Sequence, residues 1–142
     1  MKVGSPIKTL KDLAGKTVGV QTDTPVQKAL SKGGDKEALG ATFKSLVVEP
    51  NYNQAVNELS MGALDAVALD VGVAQKKMAD LPGKFVMLPE IVMTETYGIG
   101  FKKGNVALRD EVEAELKKLF ANGTAAKIAA EYKIEPKSLI LK

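Results

Sequence analysis

Residues 59–70 constrain the fold of this 142-residue chain more than any other segment. A helical apolar pattern ends at Gly62, a short apolar strand follows at 66–69, and Asp70 stands at the carboxyl end of that strand. Open α/β sheets bind ligands outside the carboxyl ends of their strands, so Asp70 is a candidate for holding a positively charged group. A second interpretation, in which Asp70 caps the following helix, fits the position equally well.

The rest of the chain alternates between short apolar runs and helical periodicity. The pattern predicts helices over about 24–31, 51–61 and 71–78, and strands at Thr17–Gln21, 43–48, 66–69, 85–88 and 97–101. Such alternation implies crossover connections and a mostly parallel sheet. We therefore predict an α/β fold, a three-layer α/β/α sandwich that is flavodoxin-like in plan. Beyond Asn105 the pattern is helical alone, with a first helix to about Ala121 and a second capped by Thr124.

Composition narrows the classes of function. Cysteine, histidine and tryptophan are absent, which removes disulfides, thiol chemistry, the commonest general base and the commonest metal ligand. No serine stands beside a plausible base. We therefore predict no catalytic residue, no metal site and no cofactor.

The charge pattern bears on partners. The net charge is +3 and the pI is near 9.0, but the lysines are dispersed, whereas nucleic-acid sites cluster their basic residues. We expect no nucleic-acid partner. The first five residues lack the apolar core of a signal peptide, and no apolar run is long enough to span a membrane, so we expect no signal sequence in this chain.

The turn after the first predicted strand places polar groups near Asp70. Thr22, Asp23 and Thr24 precede a helix whose free N–H groups and positive dipole end suit an anion, and the Thr24 hydroxyl could donate to the same ligand. The other interpretation is that Asp23 or Thr24 only caps the helix. The turn at 49–53 is interpreted as a capped helix with solvent-facing amides. A helix start that can bind an anion, beside a carboxylate that can bind a cation, is half of a site for a zwitterion, which carries both charges.

Three segments follow a known pattern in order and spacing. Residues 7–21 read IKTLKDLAGKTVGVQ, residues 59–67 read LSMGALDAV and residues 97–105 read YGIGFKKGN. They resemble the second lobe and carboxy-terminal helices of the type II periplasmic solute-binding proteins that serve polar amino-acid ABC importers (family 3). The resemblance implies two lobes joined by two crossover strands, with the ligand held between them. It also implies that the first lobe, with the arginine that holds the ligand's α-carboxylate, has no counterpart here.

The resemblance implies roles for individual residues. Asp70 matches the aspartate that binds the ligand's α-ammonium, Gln21 matches a side-chain contact, and Thr24 matches the first threonine of the family's G-T-T turn. Asp23 stands where that turn has glycine, and Pro25 lacks the N–H of the residue it replaces. The expected ligand-binding residues are Gln21, Thr22, Asp23, Thr24 and Asp70.

The function implied is non-catalytic: one lobe of the substrate-binding component of an amino-acid ABC transporter. The implied location is periplasmic or extracellular, tethered to the membrane in the parent protein. The implied partners are an amino acid, the importer's membrane subunits and the missing first lobe. We expect the lone lobe to bind an amino acid weakly or not at all, because an open face leaves both ligand charges exposed to water.

The expected domains are an α/β lobe over 1–104 and a helical segment over 105–142. That segment would pack on the lobe, on the site of the missing lobe or on a partner chain. Its apolar residues, predicted to leave an exposed patch, favour a homodimer or a domain swap; they are Val112, Leu116, Phe120 and Ile128.

Three alternatives stay open. The first is a lobe of a binding-protein-like enzyme of the dehydratase type, for which Asp70 and Glu49 are the candidate general acids. The second is the effector-sensing domain of a transcription regulator, which the absence of a helix-turn-helix disfavours. The third is an engineered half-protein with only a structural or self-associating role.

Overall fold

The structure, a computed structural model, describes residues 1–132 and Ile134. The chain divides into two compact units, Met1–Glu95 and Thr96–Lys142. In the first unit a 3-10 turn at Leu10–Leu13 precedes β1 (Thr17–Gln21), α1 (Pro25–Leu30), α2 (Glu37–Gly40), β2 (Ser45–Glu49), α3 (Tyr52–Met61), β3 (Ala66–Val67) and α4 (Val71–Asp80). The described part of the second unit holds α5 (Val106–Ala121) and α6 (Thr124–Glu131).

The strands form one parallel sheet in the order β2-β1-β3. Thr17 of β1 pairs with Ser45 of β2, and Val18 pairs with Ala66 of β3. Each connection between paired strands contains a helix, as parallel pairing requires. The predicted α/β fold with a parallel sheet is confirmed, and the order 2-1-3 is the start of the flavodoxin-like order.

The two faces of the sheet pack against different layers. On one face, Val18 and Ala66 form a buried cluster with Ile7 and with Leu13 of the 3-10 turn. Alternate residues of a strand point to opposite faces. The residues that follow Val18 and Ala66 along their strands therefore face the layer on the other side of the sheet. The segment before β1 therefore closes one side of the sheet.

On the other face α3 covers the sheet. Ala55 and Leu59 of α3 are buried with Leu64, and Val67 of β3 packs against them. A β-carbon at Gly19 would lie 2.5 Å from the Leu64 Cδ1 atom. A larger residue at the centre of β1 would require the Leu64 side chain to shift.

Local capping chemistry sets the helix ends close to the predicted positions. The Asn51 side chain accepts a hydrogen bond from the Gln54 N–H at 2.9 Å and begins α3. Gly62 ends it in the left-handed conformation, with φ at 85°, as C-terminal glycines commonly do. At the last helix the prediction is wrong in detail, because Thr124 is the first helical residue and the Asn122 side chain accepts its N–H at 3.0 Å.

The predicted strand at 85–88 is wrong. Phe85 makes a single antiparallel bridge with Lys2, and no strand is assigned at these positions. Phe85 packs against the cluster under α3 and Leu88 against the cluster on the other face. Packing alone therefore accounts for the apolar character of this segment.

The predicted strand at 97–101 is also wrong, since these residues have no regular structure. Tyr97 is 77% exposed and Ile99 is 62% exposed. A strand acquires its register from a buried face, and this segment has none.

Two further differences concern other elements. The strand β3 has two residues rather than the four predicted at 66–69, and the helix α2 was not predicted.

In the second unit, α5 contains no buried residue, and Ala129 is the buried residue of α6. No helix among the described residues combines the length and the apolar character needed to cross a membrane. The helical segment predicted over 105–142 extends past the described residues, and its end therefore lies outside them.

Candidate ligand-binding site

The parallel sheet brings the predicted site residues to one edge. β1 ends at Gln21, and the chain that leaves β3 reaches Asp70 within three residues. From β1 the chain crosses to β2 on one side of β1 and later to β3 on its other side. Ligand crevices of open α/β sheets form where the strand order reverses in this way. Gln21 ends β1 and Asp70 follows β3, the two strands that flank this point.

The turn after β1 is held by its own hydrogen bonds. The Thr22 N–H donates to the Glu49 carbonyl at 2.8 Å, which ties the turn to the end of β2. The Thr24 hydroxyl donates to the Gln21 carbonyl at 2.7 Å and accepts from the Gln27 N–H at 3.3 Å. The capping interpretation of Thr24 is therefore confirmed, and its role toward a ligand stays a prediction.

Asp23 adopts an unusual backbone conformation in this turn. Its φ is 59°, and it is the one residue other than glycine with a positive φ among the described residues. Its N–H donates to the Gln27 side-chain carbonyl at 2.8 Å. This region of φ favours glycine, and aspartate is among the few residues that tolerate it. The glycine that the family resemblance implies at this position fits the observed backbone.

Asp70 caps α4, as one of the two interpretations predicted. Its Oδ1 atom accepts hydrogen bonds from the Gly72 N–H at 2.7 Å and from the Val73 N–H at 3.2 Å. These bonds orient a half-buried carboxylate at the N-terminal end of α4. Capping and ligand binding are compatible, since an ionised carboxylate carries two acceptor oxygens.

Tyr52 lies at the candidate site and is not among the predicted site residues. Its phenol hydrogen-bonds to the backbone of Asp70, and its pKa is raised by burial first and then by the carboxylates of Asp70 and Glu95. The signal was the strand-to-helix turn at 49–53, which repeats the arrangement of the turn after β1. Its amides were predicted to face solvent, and no role was predicted for Tyr52, which is half-buried beside Asp70.

Glu49 is the buried charged residue of this edge, with 5% of its surface exposed. Burial raises the pKa of its carboxyl group, and the Glu58 carboxylate and a hydrogen bond with it raise that pKa further. Glu58 lies on α3, so this contact joins the end of β2 to the helix that covers the sheet.

Asp65 lies at the other edge of the sheet. Its Oδ2 atom accepts from the Thr17 N–H at 2.8 Å, and its own N–H donates to the Thr17 carbonyl at 2.9 Å. These bonds hold the start of β1, so Asp65 and Asp70 do not form a carboxylate pair. The described residues contain no group of three or more acidic side chains placed to hold a metal ion.

The chain is similar to several amino-acid-binding proteins, although no protein-family model matches it. The chain is 31% identical over 125 residues to the ABC transporter glutamine-binding protein GlnH of Bacillus subtilis, a match covering 87% of this chain and 42% of GlnH. The structure of an ancestral arginine-binding protein bound to glutamine has a TM-score of 0.71 and 30% identity, over 91% of this chain and 55% of that one.

An isolated domain also matches. The crystal structure of domain 2 from TmArgBP has a TM-score of 0.51 and 25% identity, over 66% of this chain and 95% of that domain. The chain thus spans about half the length of the longer relatives.

Proposed function

Because the chain is homologous, over about half of their length, to the amino-acid-binding proteins of ABC transporters, we propose that it is one lobe of such a protein and takes part in binding an amino acid. In this proposal the unmatched half of the relatives supplies the opposite wall of the cleft, and the importer's membrane subunits receive the ligand. The location is periplasmic or extracellular, in keeping with relatives that are periplasmic binding proteins.

The observation that carries the proposal is the position of Asp70. Its carboxylate is oriented by two backbone N–H groups at the carboxyl edge of the sheet, next to the reversal of strand order. We assign the ligand's ammonium group to this carboxylate. A charged acceptor that is already oriented loses less side-chain freedom when it binds a ligand.

The turn after β1 receives the other end of the ligand in this proposal. Gln21, Thr22 and Thr24 contact the amino acid from the neighbouring strand. Asp23 adds a negative charge beside the ligand's carboxylate, and Pro25 supplies no N–H to it. Both residues weaken the interaction with the ligand's carboxylate. Asp70 therefore makes the largest contribution of this lobe to the free energy of ligand binding.

The enzyme alternative has less support. Its candidate acids are Glu49, which is engaged with Glu58, and Asp70, which caps α4. The relatives are transport binding proteins rather than enzymes.

The helices of the second unit complete the proposal. Leu108 and Leu119 of α5 are 46% and 37% exposed, and they line a shallow apolar surface with Val112 and Leu116. We assign this α5 surface to packing against the half that the chain lacks, so that the helical segment over 105–142 belongs with that half. Without it, the surface associates with a second copy as a homodimer or a domain swap.

Titration with an amino acid, followed by the backbone amide NMR signals, tests the ligand site. L-glutamine at millimolar concentrations is expected to shift the Gly72 and Thr22 signals, whereas N-acetyl-L-glutamine, which lacks the ammonium group, leaves them in place. The variant Asp70→Asn keeps a capping oxygen but loses the charge, so it abolishes the response. Asp35→Asn, at an exposed turn residue, retains it.

Two results contradict the proposal. Equal shifts with glutamine and its N-acetyl derivative would remove the ammonium from the interaction. An unchanged response in Asp70→Asn would remove Asp70 from the site. Micromolar affinity in calorimetry would contradict the expected weakness of a lone lobe, since it corresponds to about 8 kcal/mol of binding free energy.

A further inference from the structure

The turn between α5 and α6 contains the only Asn-Gly pair of the chain. Asn122 precedes a glycine, and each of the other asparagines precedes a residue with a larger side chain, namely Tyr52, Gln54, Glu58 or Val106. The backbone nitrogen after an asparagine is a nucleophile for its side-chain carboxamide, and glycine leaves that nitrogen unhindered because it has no β-carbon. Asn122 and Gly123 are both exposed. Asn122 is therefore the asparagine of this chain with the least hindered route to deamidation.

The fold itself requires both residues of this pair. Gly123 has a φ of 79°, in the left-handed region that glycine adopts without a steric penalty. The Asn122 Oδ1 atom accepts a hydrogen bond from the Thr124 N–H at 3.0 Å, which satisfies one of the free N–H groups at the start of α6. Asparagine and aspartate are among the residues that make such caps. The requirements of the turn thus place a labile pair at this position.

The folded turn holds the reacting atoms apart. The ψ of Asn122 is 2°, so the Gly123 nitrogen eclipses the backbone nitrogen of Asn122 rather than its β-carbon. Attack on the carboxamide carbon needs the opposite arrangement, because the new ring contains the β-carbon. In addition, the Gly123 N–H donates to the Phe120 carbonyl at 3.3 Å. The turn must therefore open, with rotation about ψ and loss of this hydrogen bond, before the nitrogen reaches the carboxamide.

We propose that Asn122 is a site of spontaneous deamidation and that opening of the α5–α6 turn sets its rate. In the open turn the Gly123 nitrogen forms a bond to Asn122 Cγ and loses its proton to water. The carboxamide nitrogen takes up a proton and leaves as ammonia, which gives a cyclic succinimide. Water then adds to either ring carbonyl and yields aspartate or isoaspartate. The inference does not depend on the proposed function.

The two products affect α6 differently. Aspartate keeps a capping oxygen for the Thr124 N–H and adds a negative charge at the N-terminal end of the helix, where the helix dipole favours it. Isoaspartate routes the main chain through the β-carbon and so lengthens the backbone inside the turn. This change disrupts both the Gly123 and the Thr124 hydrogen bonds. Deamidation therefore loosens the start of α6 to the extent that isoaspartate forms.

The test incubates the whole chain without ligand in mildly alkaline buffer, once in its native state and once in urea. Ammonia release gives the rate, and mass spectrometry of peptides gives the position. The change in mass is expected at residue 122 before any other asparagine. The native rate is expected to be about tenfold or more below the rate in urea, because only the open fraction of the turn reacts.

Two variants examine the site, with a matched control. Asn122→Gln is expected to abolish the fast ammonia release in urea, because the longer side chain closes a less favourable ring. Asn57→Gln, at an exposed asparagine of α3, is expected to leave that release unchanged.

A third variant examines control by the turn. Ala129→Gly removes a buried methyl group from α6 without altering the reacting pair. It is expected to raise the native rate by up to about fivefold, because glycine weakens a helix interior, and to leave the rate in urea unchanged.

Hydrogen exchange at the Thr124 amide compares the two products. Asn122→Asp reproduces the aspartate product and is expected to exchange as slowly as wild type. The isoaspartate fraction of aged protein, separated by ion exchange, is expected to exchange faster.

Three results would overturn the proposal. Modification in urea that favours another asparagine would remove Asn122 as the site. Equal rates in the native state and in urea would remove control by the turn, and this comparison needs no variant that might fail to fold. Equal Thr124 exchange in both products would remove the effect on α6.

Discussion

The carboxylate of Asp70 accepts a hydrogen bond from the backbone N–H of Gly72 at 2.7 Å. The residue that we assign to the ligand's ammonium group is thus also the N-terminal cap of α4. Its removal changes the fold and the site together, so the two roles must be separated by substitutions that affect only one of them.

Asp70→Ala is expected to lower the free energy of unfolding by about 1 kcal/mol, because the Gly72 and Val73 N–H groups lose their acceptor. Asp70→Asn is expected to stay within a few tenths of a kcal/mol, because asparagine caps about as well as aspartate. Urea denaturation measures both. Asn51→Ala, which removes the cap of α3, is the matched control for a cap with no assigned ligand role. Equal losses in Asp70→Asn and Asp70→Ala would show that the charge, rather than the cap, supports the fold.

The positive φ of Asp23 predicts how substitutions at this position rank in stability. Asp23→Gly is expected to preserve stability within about 0.5 kcal/mol, because glycine adopts this conformation freely. Asp23→Val is expected to cost about 1 kcal/mol or more, because the left-handed region is unfavourable for a β-branched residue. Thermal and urea unfolding test the order. A valine variant as stable as the glycine variant would contradict the backbone conformation.

Gly40 packs its backbone against α1. A β-carbon at this position would lie 2.0 Å from the Leu30 carbonyl oxygen, a backbone atom that cannot move aside by rotation of a side chain. Gly40→Ala is therefore expected to destabilise the protein by about 2 kcal/mol. Gly100→Ala, at a glycine with open space around its β-carbon position, should change stability by less than about 0.5 kcal/mol. Similar values for the two variants in urea denaturation would refute the close approach.

Asp12 gives the first unit a component of stability that acid removes. The Lys8 N–H, the Thr9 N–H and the Thr9 hydroxyl donate to its carboxylate and lower its pKa. The contribution is present above the ordinary pKa of aspartate and is lost as the pH falls through the lowered folded pKa. The stability difference between wild type and Asp12→Ala is therefore expected to shrink on acidification below about pH 4. A difference that stays constant down to pH 2 would contradict this assignment.

The α5 surface predicts association in solution. Light scattering of the wild-type chain is expected to show a mass that rises with concentration, and Leu119→Glu is expected to reduce that rise by placing a charge on the surface. Lys103→Gln, at an exposed residue before α5, makes the same change of net charge elsewhere and should leave the association intact. A wild-type chain that stays monomeric at high concentration would contradict the proposed homodimer.

Much of the first unit could be predicted because its signals are local. The caps at Thr24 and Asn51 and the stop at Gly62 depend on side chains within a few residues of each helix end. β1 was predicted with its observed bounds, because a buried central strand is a short apolar run bounded by polar residues. The edge containing Asp70 followed from the rule for parallel sheets.

The segments 85–88 and 97–101 have apolar patterns as well, but a strand also needs a partner for its N–H and C=O groups. Sequence periodicity does not identify that partner. By itself the sequence therefore determined the class of fold, the helix ends at Thr24, Asn51 and Gly62, and the edge that carries Asp70, since these depend on local chemistry and on the order of elements. Only the tertiary structure decided that Tyr52 lies beside Asp70 and that Glu49 lies near Glu58. These residues are distant in local sequence pattern, and only the packing of α3 onto the sheet brings their side chains together.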